Sequence, residues 1–133
     1  MMATMSVAAK LQIKPNTTLW TATTEQLALL GPLPEGVRSV PRMDEADAAL
    51  VFGADAAAIR KALDLNKDWL AAPRVLWIAY PKGNRADVNR DSLWPILAEY
   101  GMRPVSQVAI DEVWSALRFR MLKDGEAPFT ADA

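Results

Sequence analysis

A chain of 133 residues, 51% apolar and 23% charged, has the size and mixture of one globular domain. Its formal net charge of −1 argues against a general nucleic-acid binder, which carries a basic excess. The absence of cysteine and histidine excludes disulfides, thiol nucleophiles, Cys/His zinc sites and the commonest general base.

The opening MMATMSVAAK lacks the basic and continuous apolar regions of a signal peptide. No run approaches the ~20 apolar residues of a membrane span, so a cytoplasmic protein with no membrane partner is expected. Residues 1–9 read as a flexible N-terminus. KPN then marks a turn, and residues 17–21 form a β-rich run. Thr24 and Glu25 open a short helix that Gly31-Pro32 stops. GVRSVP is a weak strand. DAALVFGA, residues 47–54, is an apolar run ending in glycine, as a buried strand does.

Asp55 can cap a helix over DAAAIRKALDLNKDWLA, with Ile59, Leu63, Trp69 and Leu70 among its apolar positions and Pro73 beyond its end. RVLWIAYPKG holds the strongest strand, continuously apolar and suited to a central position covered on both faces. DSLWPILAEYG reads as a helix with Pro95 in its first turn and Gly101 at its C-cap. PVSQVAID and VWSALRFRML follow as a hairpin, and residues 123–133 as a flexible polar tail. Alternating strands and helices predict an α/β domain over residues 10–122: a mostly parallel, Rossmann-like sheet flanked by helices and ending in an antiparallel β-hairpin.

The segments IKPN, DAALVFGA, WIAYPKG and IDEVWSALRFR resemble a group of short bacterial proteins with no assigned reaction. The last three strand–helix units also look like the C-terminal half of a class I methyltransferase fold. The resemblance spans about residues 10–122 and implies a methyltransferase-like fold without implying an activity. One departure bears on the cofactor. That class places a glycine-rich turn after its first strand, where glycine permits close approach of the backbone to the ligand. Here the segment is LWTATTEQL, without glycine, and no acidic residue directly follows VRSV to hold a ribose. Asp44 and Glu45 come later and suit capping or lining the next strand. S-adenosylmethionine in the usual mode is therefore not expected, nor is any other cofactor.

Ligands of open α/β sheets gather beyond the carboxyl ends of the parallel strands. Tyr80, Lys82, Arg85 and Arg90 fall in or after the strongest strand, where the three basic residues can hold a phosphate or carboxylate. The same loop also reads as solvated, with Asp87 and Asp91 offsetting its charge. Asp111 and Glu112 fit a metal or acid–base pair, but neighbours in an extended chain diverge and aspartate is common in turns. The turn is preferred and no metal is expected. In VWSALRFRML, alternation puts Val113, Ser115, Leu117, Phe119 and Met121 on a core face, and Trp114, Ala116, Arg118 and Arg120 on the other. There Trp114 and Arg118 can stack. Without histidine or a G-x-S-x-G elbow, Ser115 is a poor nucleophile.

The candidate site is therefore Tyr80, Lys82, Arg85 and Arg90, with Asp111 and Trp114, and no catalytic residue is assigned. The reading is a non-catalytic α/β protein that binds a protein partner or small anionic ligand, or forms homo-oligomers. The alternative is an enzyme acting on a nucleotide or phosphorylated small molecule. A nucleic-acid partner is disfavoured by the charge.

Overall fold

The computed structural model describes residues 7–21, 27–82, 90–123 and 125; of Arg90 and Asp91 it describes the backbone alone. The chain opens with helix α1 (Val7–Lys10), strand β1 (Thr18–Thr21), the two-residue strand β2 (Arg38–Ser39) and β3 (Ala48–Phe52). Helix α2 (Ala56–Leu65), β4 (Val75–Pro81), helix α3 (Arg90–Ala98), β5 (Met102–Ala109) and β6 (Trp114–Met121) complete it. The strands form one sheet in the order β2-β1-β3-β4-β6-β5. The first four strands are parallel, while β6 runs antiparallel between β4 and β5. This is the Rossmann-like sheet with a terminal hairpin that the alternating pattern predicts.

Strand β4 lies inside the sheet and faces apolar layers on both sides, as its unbroken apolar sequence requires. Leu76, Ile78 and Tyr80 belong to one core with Ile59 and Leu63 of α2 and Leu93, Ile96 and Leu97 of α3. Val75, Trp77 and Ala79 belong to the other, with Ala8, Leu11, Ile13 and Leu30. Trp77 also donates its indole N–H to the Leu11 carbonyl at 2.8 Å, satisfying its one polar group in the interior.

Three sequence expectations are corrected. The expected flexible N-terminus contributes α1, whose Ala8 is fully buried. Helix α2 stops at Leu65, short of Trp69, because Asn66 leaves helical geometry and turns its side-chain amide back to the Ala62 carbonyl at 2.8 Å. Trp69 and Leu70 therefore follow in and after a separate 3-10 turn, Lys67–Trp69. Pro95 lies well inside α3, not in its first turn, with its ring on the exposed side. That placement removes one helical N–H without bringing the ring into the core. The expected cap Asp55 is in place, accepting the Ala58 N–H, while Gly101, with φ 77°, stands three residues past the end of α3, after two further turns of i→i−3 hydrogen bonds. The helix start at Thr24 and Glu25 lies outside the described residues.

Between β1 and β3 the chain switches its direction of travel across the sheet, since β2 lies on one side of β1 and β3 on the other. Such a switch opens a crevice beyond the carboxyl ends of the strands. In this protein that edge holds Thr21, Phe52 and Pro81, and the antiparallel β6 begins there with Trp114.

Candidate ligand site at the carboxyl edge of the sheet

Register across the antiparallel strands builds the centre of this edge. Tyr80 pairs with Ser115 and Ala79 with Ala116, which carries the hairpin alongside the end of β4. The Tyr80 ring is only 4% exposed and belongs to the core. Its hydroxyl accepts a hydrogen bond from Gln107 Nε2 at 2.8 Å, and the same amide reaches Ser115 Oγ at 3.1 Å. Ser115 in turn donates to the Val108 carbonyl at 3.2 Å. Tyr80, Gln107 and Ser115 thus form one polar network spanning three strands, which fixes the hairpin against β4.

Lys82 follows on β4. Its backbone N–H donates to the Val113 carbonyl at 2.7 Å, so the main chain is held while the side chain stays half-buried. No described carboxylate pairs with it; the ion pairs among the described residues are Arg42–Asp44 and Arg60–Glu99. Asp111 serves the turn, accepting the N–H groups of Val113 and Trp114 at 2.8 and 2.7 Å. Among the described residues no cluster of three acidic side chains can hold a metal ion.

Trp114 meets Phe52 edge to face with ring centroids 5.1 Å apart, rather than stacking on Arg118. The described cation–π pair lies elsewhere, Arg42 over Trp69 at 5.2 Å. Arg85 lies outside the described residues, and Arg90 is placed only by its backbone at the start of α3. Tyr80, Lys82, Asp111 and Trp114 thus all lie at the carboxyl end of β4, but Tyr80, with Gln107 and Ser115, belongs to the core on the α2 and α3 side, while Trp114 packs with Phe52 against the core on the other face. Gln107 stands 27 residues from Tyr80, and only strand register reveals the contact.

The turn after β1, residues 22–26, lies outside the described residues. Thr18 Oγ1 donates to the Glu45 carbonyl at 2.9 Å, which places the 3-10 turn Met43–Glu45 at the amino end of β1, away from the crevice. In that turn, the Asp44 carboxylate is held by Arg42 at 3.0 and 2.6 Å. Phe52, packed on Trp114, occupies the carboxyl end of β3.

No family model matches the chain, and no curated protein matches it. Solved structures do resemble it. A Streptococcus agalactiae protein of the NADB-Rossmann superfamily superposes with a TM-score of 0.57 at 12% identity, over 98% of this chain and 72% of its own. A Streptococcus pneumoniae protein, provisionally described as a tRNA (m1A22) methyltransferase, gives 0.53 at 12%, over 95% of this chain and 61% of its own. The Bacillus subtilis m1A22 tRNA methyltransferase TrmK gives 0.51 at 13%, over 93% and 71%. At such identities the likeness is one of fold: the chain is a Rossmann-like α/β protein with a methyltransferase-like sheet.

Proposed function

We propose that this protein is a non-catalytic Rossmann-like module that binds a small phosphorylated anion, such as a nucleotide, at the carboxyl edge of β4. Lys82 is its charged anchor. The observation that carries this reading is the placement of Lys82: backbone pinned, side chain half-buried, no described carboxylate paired with it, and next to the strand ends where such sheets take ligands. Arg85 and Arg90 follow within eight residues and are assigned as further anion contacts. The Phe52–Trp114 pair supplies an apolar wall. Asp111 positions Trp114 by capping the turn before it. Sheet-edge oligomerisation is disfavoured, because β5 carries Pro104 and a register shift at Pro104/Ser106, features that blunt an open edge.

The second reading, an enzyme acting on a nucleotide or nucleic acid, is favoured by the fold shared with the tRNA methyltransferases. A thermal-shift series separates the two. Nucleotides and phosphorylated metabolites at a hundredfold excess over Kd should add about 2.7 kcal/mol, roughly 10 °C in Tm for a domain of this size. Lys82→Ala should abolish that shift. A shift with S-adenosylmethionine or a short RNA, retained in Lys82→Ala, would establish the second reading instead. No shift with any of them would sink the small-anion reading.

A further inference from the structure

The polar network at the end of β4 leaves one hydrogen-bond donor unused. Ser115 is buried and has a single hydroxyl proton, which goes to the Val108 carbonyl at 3.2 Å. Gln107 therefore meets Ser115 Oγ as a donor, through Nε2 at 3.1 Å. The other N–H of that amide reaches Tyr80 Oη at 2.8 Å. With the amide fixed in this sense, the Tyr80 hydroxyl accepts from Gln107, and its own proton has no acceptor among the described residues. A buried donor left without an acceptor is costly. The tyrosine ring is buried, but its hydroxyl end meets Gln107, which is exposed.

Tyr80 also shares its side of the sheet with Lys82. The Lys82 N–H donates to the Val113 carbonyl at 2.7 Å, which carries the β4–β6 ladder one step past the Pro81–Trp114 pair. Residues two apart on an extended strand leave the same face, about 6.6 Å from each other along the chain. A charged donor and a neutral donor therefore stand next to one another at the carboxyl edge.

We infer that the Tyr80 hydroxyl donates to an oxygen of the anion held at Lys82, with Gln107 fixing the direction of that donation. The inference rests on the small-anion reading above and deepens it. The ligand offers an oxygen to the phenol as well as charge to the ammonium, as a phosphate group does. Lys82 supplies attraction with little directional preference, being a point charge on a flexible stem. Tyr80, rigid in the core and held by Gln107, supplies the direction.

The test is a carbon NMR titration of the protein isotopically labelled at tyrosine Cζ, the atom that carries the hydroxyl. The chain has two tyrosines, so Tyr100, bonded to Asp64, serves as the internal control. AMP and inorganic phosphate should shift the Tyr80 signal saturably and leave Tyr100 in place, and adenosine should move neither. Tyr80→Phe should weaken AMP about tenfold in calorimetry, the loss expected for one hydrogen bond to a charged group. Gln107→Glu, whose carboxylate accepts the phenol proton, should shift the Tyr80 signal before any ligand is added and remove its response to AMP. AMP binding with an unmoved Tyr80 signal, full affinity in Tyr80→Phe, an equal shift with adenosine, or a wild-type Tyr80 signal in Gln107→Glu would overturn the inference and leave the Lys82 reading standing. No binding of AMP or phosphate by the wild type would sink that reading, and the inference with it.

Discussion

Tyr100, just beyond α3, donates its hydroxyl to Asp64 in the last turn of α2, and Arg60 pairs with Glu99 beside it at 2.8 Å. These contacts tie two helices that cover the same face of the sheet. The hydrogen bond to Asp64, then burial, pushes the Tyr100 phenol up to about 12. An unfolded tyrosine titrates near 10. Because the folded value is the higher one, the stabilisation is complete below about pH 10 and is lost as pH rises through about 12. Tyr100→Phe should therefore cost about 1 kcal/mol at neutral pH, one partly solvated hydrogen bond, with the gap to wild type closing across that alkaline window. Urea midpoints for both proteins, taken near neutrality and at the top of the window, check this. A gap of equal size at both would refute it. None of this was legible in the sequence, where Tyr100 and Asp64 stand 36 positions apart. Tyr80 teaches the same point: its place at the end of an apolar strand was readable, but its bond to Gln107 depends on hairpin register.

At the scale of elements, the sequence was most readable where local chemistry decides. The unbroken apolar runs became β3 and β4, Asp55 caps α2 as expected, and the two last runs pair as a hairpin. It was least readable where tertiary packing decides. β2 is two residues long and exists through its pairing with β1, and α1 is a single turn held by what it covers. The junction of β3 and α2 shows why a small residue stands there. A Cβ on Gly53 would fall 2.1 Å from Ile59 Cγ1 and 3.1 Å from the Ile59 backbone nitrogen, so the first turn of α2 seats directly on this glycine. Gly53→Ala should cost about 1–3 kcal/mol by overpacking. Adding Ile59→Ala should recover part of that loss, giving a favourable coupling in a double-mutant cycle. Strict additivity of the two denaturation free energies would show that the junction is not a tight seat.

Across the whole molecule, the sheet is sandwiched unequally. One face is covered by two regular helices, α2 and α3; among the described residues the other is covered by α1, Leu11, Ile13 and the segment around Leu30. Gln12, the bridge between Arg74 and Arg118, has φ 62°, a conformation that a non-glycine residue keeps only when its surroundings impose it. Leu11 on one side of it is fully buried and Ile13 on the other is 3% exposed. Removing residues 1–13 should forfeit the burial of these two side chains, about 1.5–3 kcal/mol each, and leave the Trp77 indole N–H without its acceptor. That sum is a large part of the 5–15 kcal/mol that holds an ordinary domain together. The truncated protein should be marginal or unfolded by circular dichroism and by tryptophan fluorescence, while the substitution Lys82→Ala should leave folding intact. An unchanged denaturation midpoint after truncation would mean that the N-terminal segment lies on the sheet without supporting it.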